Sequence, residues 1–306
     1  HASLELLKAH AVISRSWLLG KTRSARSAAP AVGSDVPGSE DEVIKWWDHD
    51  DHEHYDVCAD DHCQRYQGLT RACTPAVAQA IEATRGLVLV DRDGNLCDAR
   101  FSKSCGGVLE QFEYCWQPDH KHYLVARADA PDALHFPDLT REDAARRWIL
   151  SSPPAYCNTT SREILSQVLN DYDQETTDFY RWQVTYDAAT LASLLHRRTG
   201  VDYGRIRALE PVARGTSGRL WKLRVVGERL TRVIGKELAI RYALSESCLY
   251  SSAFVVDAGE PDADGYPVSF TLHVAGWGHG VGLCQIGAAV MGARGIGYEQ
   301  ILQHYF

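Results

Sequence analysis

The stretch GWGHGVGLCQIGAAVMGARG sets glycines at 276, 278, 280 and 282 around His279, followed by Cys284, Gln285 and a helix-like run. A strand, a glycine loop and a helix in that order invite a nucleotide reading. The spacing refuses it. Gly278, Gly280 and Gly282 are followed by Leu283, Cys284 and Gln285, so G-x-G-x-x-G fails; there is no P-loop lysine, and G-x-S-x-G is absent. What remains is main chain that must approach something closely, with His279 and Gln285 set on it, because glycine lets a polymer lie against the backbone. The competing reading is a tight turn with His279 hydrogen-bonded inside.

A second cluster, WWDHDDHEHYDVCADDHCQRYQG at 46–68, holds His49, His52, His54, Cys58, His62 and Cys63. Two thiolates and two imidazoles make a tetrahedral zinc site, and four protein ligands leave no position for water, which suits a structural role. The spacing is not that of a C-x₂-C finger. A Cys58–Cys63 disulfide and a solvated acidic loop stay open as alternatives. The third stretch is FSKSCGGVLEQFEYCW at 101–116, where Ser104, Cys105, Gly106 and Gly107 end a strand. Cys105 qualifies as a nucleophile only with a lowered pKa; a turn with an inert cysteine is the plainer reading.

These residues need elements to carry them. Residues 3–19 read as a helix with two apolar stripes (Leu4, Leu7, Ala11, Leu18; Leu6, Ile13, Trp17), hence buried, stopping at Gly20. Residues 21–42, rich in Ser, Ala, Pro and Gly, read as an exposed loop. Residues 74–86 form a helix with Thr74 as N-cap and Pro75 at N1, and 87–102 a hairpin turning at Asp93-Gly94. A helix-richer insertion over 117–200 includes one helix opened by Thr140, with Asp143 three residues on, and another ending at Gly200. RIRALEPVARG, GRLWKLRVVGE, RVIGKELAIR and VSFTLHVAG alternate as strands. With no regular βαβ rhythm, the fold class is α+β, in one domain over 1–306.

The 306 residues allow a substantial core. A net charge of −8 argues against nucleic acid as a partner, and no apolar run reaches the ~20 residues needed to span a membrane. Nine cysteines, an odd number spread widely, do not form a small disulfide framework. The chain opens at His1 apparently within a helix and is read as a fragment whose targeting segment lies outside it.

Several motifs in order resemble one family. LELLKAHAVISRSW resembles the ALKAQAVAARTY-type helix of the SpoIID/LytB family, and GWGHGVGLCQIGA its GxGHGxGMSQxGA signature. FSKSCGG looks like its SxxSGG turn, CADDHCQRYQG like the CxxxxHCQxY segment of zinc-carrying members with one residue fewer, and YEQILQHYF like its closing segment. RGTSGRLWKLRVVG and IRYALSESCLYSSAF resemble its strand region.

The resemblance implies a peptidoglycan lytic transglycosylase. One glutamic acid protonates the bond between N-acetylmuramic acid and N-acetylglucosamine. As carboxylate it then takes the proton of the sugar's own C6 hydroxyl, giving a 1,6-anhydro product. Such an acid needs a raised pKa. In the family it lies a few residues before the LKAQAV helix, so it is expected upstream of His1; Glu5 matches the ordinary glutamate inside the helix. The fragment alone is then expected to be inactive. By motif, His279 and Gln285 would line the cleft, Ser104 and Gly106 would form another wall, and Arg15 would orient carboxylates or sugar substituents, with a structural ion pair as its alternative. Cys284 stands where the family has Ser, and the loop shape is expected to survive. Structural zinc would be held by His52, Cys58, His62 and Cys63. Two other readings stay open: a non-catalytic LytB-like module that binds peptidoglycan and partners an amidase, and a hydrolase with two carboxylates drawn from Asp56, Asp60 and Asp61. The substrate implies an extracytoplasmic site at the cell envelope.

Overall fold

The computed structural model describes residues 2–27, 41–44, 56–57, 63, 74–131, 135–168 and 176–306. The fold is α+β, as expected. The helices are α1 (Leu4–Ser27), α2 (Pro75–Ala83), α3 (Phe112–Cys115), α4 (Glu142–Leu150), α5 (Arg162–Leu165), α6 (Ala188–Thr199), α7 (Glu237–Ala243), α8 (Gln285–Ala293) and α9 (Tyr298–Tyr305). The strands are β1 (Glu42–Ile44), β2 (Phe101–Ser102), β3 (Arg181–Asp187), β4 (Ile206–Arg214), β5 (Leu220–Gly227), β6 (Thr231–Gly235), β7 (Phe254–Ala258), β8 (Ser269–Ala275) and β9 (Leu283–Cys284).

Helix α1 does not stop at Gly20. The Lys, Arg and Ala that follow are good helix formers, and an interior glycine costs only about 1 kcal/mol. Of its two apolar stripes, the Leu6–Ile13–Trp17 stripe is buried, joined by Ala9 and Val12, while Leu18 is exposed. Leu6, Ala9, Val12 and Ile13 share a core cluster with Ile286, Ala289 and Ile301 of α8 and α9. α2 is capped as expected: the Thr74 hydroxyl accepts from the Val77 amide and Pro75 opens the helix. α6 likewise ends on Gly200 in the left-handed conformation, and Asp187 caps its start. α4 begins two residues after Thr140, whose hydroxyl instead donates to Asp138 at 2.5 Å.

Among the described residues, three sheets complete the fold: β1-β6-β5-β4, β3-β8-β7 and the short parallel pair β2-β9. RVIGKELAIR splits into strand β6 and helix α7 instead of remaining extended. β3 lies in the expected insertion and pairs along its whole length with β8, from Arg181 opposite Ala275 to Asp187 opposite Ser269. The pair β2-β9 sets Phe101 beside Leu283 and Ser102 beside Cys284, so the strand that opens the SKSCGG turn lies beside the strand that the glycine loop leads into. No helix among the described residues is long and apolar enough to cross a membrane.

Candidate functional site

The two glycine-bearing turns lie against each other. Ser104 and Trp277 exchange main-chain hydrogen bonds of 2.9 and 2.8 Å, and the Glu110 amide donates to the Gly280 carbonyl at 2.9 Å. Gly276, Gly278, Gly280 and Gly282 all have positive φ, between +70° and +99°. Their missing Cβ atoms leave room for the protein itself: a Cβ on Gly276 would lie 2.7 Å from the Ser104 carbonyl oxygen, and one on Gly280 2.5 Å from the Arg219 guanidinium. The close approach anticipated from the glycines is thus, over 276–282, an approach of chain to chain.

Arg219, 1% exposed, fills the seam. Its guanidinium donates to the carbonyls of Gly278 (3.1 Å) and Cys105 (3.1 Å) and to the Ser217 hydroxyl (2.9 Å). That hydroxyl donates to Glu110 at 2.7 Å, and Thr216 donates to the other carboxylate oxygen at 2.8 Å. Glu110 is fully buried; burial raises its pKa, opposed by the Ser217 bond, the Gln111 amide, Arg219 and Thr216. Neither Glu110 nor Arg219 was singled out in the sequence, since an isolated Glu or Arg in a connecting segment carries no spacing signal.

His279 belongs to this seam. Its Nδ1 accepts from the Val281 amide at 3.0 Å, which puts the proton of the neutral ring on Nε2, and Nε2 is buried without a hydrogen-bond partner. The ring meets Trp116 edge-on at 4.8 Å. Burial, with Arg100, Arg241 and Arg219 nearby, pushes its pKa well below the ordinary value, and the Phe101 main chain opposes this. The imidazole is therefore a neutral, half-buried group, its Nε2 turned inward, that shapes the loop. Ser104 is fully buried and its hydroxyl has no partner; Gly106 is pinned by Arg181, which donates to its carbonyl at 3.0 Å. Arg15 lies elsewhere, its guanidinium donating to the carbonyls of Thr84 (2.9 Å) and Leu87 (2.6 Å) beyond the end of α2.

Gln285, at the start of α8, faces α1. Its amide donates to His10 Nε2 at 2.9 Å, and His10 Nδ1 in turn lies 3.1 Å from the Ser14 hydroxyl. The signal for His10 was available, inside LLKAHAV. Burial pushes its pKa down to about 4. Unfolding restores a value near 6.5, so the unfolded chain takes up the proton first as pH falls. Stability present above about pH 6.5 is therefore lost down to about pH 4, by on the order of 3 kcal/mol. Comparing urea midpoints at pH 7 and pH 4.5 checks this: His10→Gln should show a shallower loss than the parent protein, and equal losses would contradict it.

Beside Gln285, the Lys103 carbonyl accepts from the Ile286 amide, and the Lys103 ammonium sits over the rings of Trp277 (5.2 Å) and Phe179 (5.8 Å). Trp277 faces an open groove of about 740 Å³. Tyr250 stacks on its indole with ring centres 3.5 Å apart, and Trp182 flanks both, its Nε1 donating to the Gly276 carbonyl at 3.0 Å. Arg181, Gln183, His273 and Asp178 supply polar groups. His273 Nε2 pairs with Asp257 at 3.0 Å, and Arg146 holds the same carboxylate at 2.6 Å; those bonds lower the Asp257 pKa, Arg146 most. An aromatic floor with polar walls fits the faces of sugar rings, which present C–H groups to aromatic faces and hydroxyls at their edges.

Of the expected zinc ligands, His52, Cys58 and His62 lie outside the described residues, as do Asp60 and Asp61; Cys63 is buried and Asp56 exposed. A different set converges in the core. Cys105, Asp129, Cys157 and Cys284 bring their donor atoms within 4.8 Å of one another, all four buried, and can hold a metal ion.

Against known families, residues 110–282 match the model described as a domain of unknown function (DUF8618), and residues 1–90 match the model described as stage II sporulation protein (SpoIID). No curated protein matches the chain.

Proposed function

Since the chain belongs to the DUF8618 family through residues 110–282 and to the SpoIID family through residues 1–90, we propose that it is the glycan-holding part of a peptidoglycan lytic transglycosylase. The observation that carries the reading is the groove beside the glycine loop, floored by Trp182, Tyr250 and Trp277. In this reading Trp277 meets the sugar face, Arg181 and His273 meet its substituents, and His279, Ser104 and Gly106 hold the loop in shape behind them. Gln285 and His10 would mark the end of the cleft nearest α1, where an acid borne upstream of His1 would reach the glycosidic oxygen. Arg15 would act by fixing α1 on α2.

One carboxylic acid suffices because the C6 hydroxyl replaces water as nucleophile; a hydrolase ordinarily needs two carboxylates. A glycan substrate places the working protein at the cell envelope, outside the cytoplasm. Structural zinc on His52, Cys58, His62 and Cys63 would brace the segment between α1 and α2: the donor set suits tetrahedral zinc, and the burial of Cys63 agrees with a closed site. Cys58→Ser should then lower bound zinc by one ion per chain, and an unchanged content would refute that assignment.

The second reading, a LytB-like binding module that aids an amidase, shares the groove and lacks the acid. Digestion of peptidoglycan-derived glycan by the full-length protein separates them. The enzyme yields 1,6-anhydro ends, with Trp277→Ala lowering kcat/KM by roughly tenfold for about 1.4 kcal/mol of lost contact. Free reducing ends would refute the transglycosylase, and binding without cleavage would establish the module.

A further inference from the structure

Cysteines 105, 157 and 284 and Asp129 come from four separate places: the SKSCGG turn, the turn before α5, the residue before α8, and the loop after α3. Each is fully buried or nearly so. The sulfurs of Cys105 and Cys157 are 3.6 Å apart. A disulfide requires about 2.05 Å, whereas two thiolates on one tetrahedral zinc, with Zn–S near 2.3 Å, stand about 3.8 Å apart. Three soft sulfur donors and one carboxylate select zinc over magnesium or calcium, which take oxygen ligands.

The surroundings are those of a ligand shell. The Cys105 amide donates to Cys284 Sγ at 3.3 Å, and Cys284 stands at the N-cap of α8, where the helix dipole favours negative charge. Asp129 accepts from the Cys157 amide (3.0 Å) and the Tyr305 hydroxyl (2.8 Å), and His304 Nε2 lies 3.5 Å from its carboxylate. Such outer bonds orient metal ligands. Gly287 is needed for this arrangement, since a Cβ there would lie 2.2 Å from the Tyr305 hydroxyl and 2.8 Å from the Asp129 carboxylate. Cys105 and Cys284 also stand at the serine positions of the SxxSGG and GxGHGxGMSQ patterns that the chain resembles, so both departures from those patterns face the same point.

We propose that Cys105, Cys157, Cys284 and Asp129 bind one zinc ion, which ties the SKSCGG turn to α8 and, through Asp129 and Tyr305, to α9. The site is separate from the segment holding Cys58 and Cys63 and independent of the glycan reading. Ligation releases the thiol protons to solvent and involves no redox step.

The test is zinc content by elemental analysis and native mass spectrometry of the chain carrying Cys58→Ser and Cys63→Ser, prepared with zinc alone as the added metal. The expected result is one zinc per chain, lost in the further variant Cys157→Ser. Because that variant could misfold, X-ray absorption at the zinc edge on the parent background gives a second readout: three sulfur scatterers and one light atom. A zinc-free protein with three reactive thiols would overturn the proposal. So would a mass two hydrogens lighter from a Cys105–Cys157 disulfide, or zinc retained by folded Cys157→Ser protein.

Discussion

Replacing Arg219 with methionine is expected to remove roughly 3–5 kcal/mol of stability, the cost of taking one partner from a buried charged network. Methionine keeps most of the side-chain bulk and removes every donor. The carbonyls of Gly278 and Cys105 then lose their partner at the seam between the two turns. Glu110 loses the positive charge nearest its enclosed carboxylate and keeps only the hydroxyl and amide donors of Ser217, Thr216 and Gln111. An unpaired buried charge costs more than an unpaired carbonyl, so most of the loss should come from Glu110. Adding Glu110→Gln to Arg219→Met should therefore recover part of the stability, in a double-mutant cycle read by urea unfolding. A loss below about 1 kcal/mol, the range of a single neutral hydrogen bond, or a double variant no better than Arg219→Met, would show that the seam does not depend on this network.

Gly282→Ala is expected to cost above about 4 kcal/mol, in the exceptional range for one substitution. Two effects add. At φ +70° an L-residue loses roughly 1–2 kcal/mol against glycine. The new Cβ would also lie 2.2 Å from the Arg100 carbonyl oxygen, backbone that cannot rotate away. That oxygen accepts from the Leu283 amide at 3.0 Å, so relieving the clash pulls apart the β2-β9 pair that aligns the two turns. Gly86 isolates the first effect: its φ is +76°, and nothing lies within 4 Å of its Cβ position. Gly86→Ala should cost about 1–2 kcal/mol. Denaturant midpoints for the two variants decide the matter, and equal losses would mean that conformation, not close approach, accounts for the loop glycines.

The sequence made local features legible and long-range ones not. Thr74-Pro75 and Asp187 with Gly200 are capping signals complete within one turn, and they mark real helix ends. Gly20 carries the same stop signal and fails, because nothing in one residue tells a left-handed C-cap from an interior glycine. Thr140 fails for a related reason: its hydroxyl finds Asp138 two residues back and leaves the helix to begin later. KELAIR alternates well enough to pass for strand, yet its apolar residues also suit a helix whose inner face lies on β5 and β6, and tertiary packing selects the helix.

At the site, the two glycine turns were visible as motifs, but what fills the space between them was not. Arg219 arrives from the turn before β5, 57 residues before Gly276, and no local pattern marks it. The aromatic floor is likewise assembled by pairing β3 with β8, which brings Trp182 to Trp277, and by the approach of Tyr250 from before β7. His279, read as a cleft residue, has its free nitrogen inside, because Val281 two residues on captures Nδ1 and turns the ring toward Trp116.

The glycan reading stands or falls on the floor of the groove. Titrating the full-length protein, ¹⁵N-labelled at tryptophan indoles, with a denuded MurNAc–GlcNAc tetrasaccharide tests it most directly. Saturable shifts of the Trp182 and Trp277 indole signals, abolished by Trp277→Ala while the remaining six indoles stay in place, are the predicted result. Binding that leaves both signals unmoved, or no binding at millimolar sugar, would contradict it.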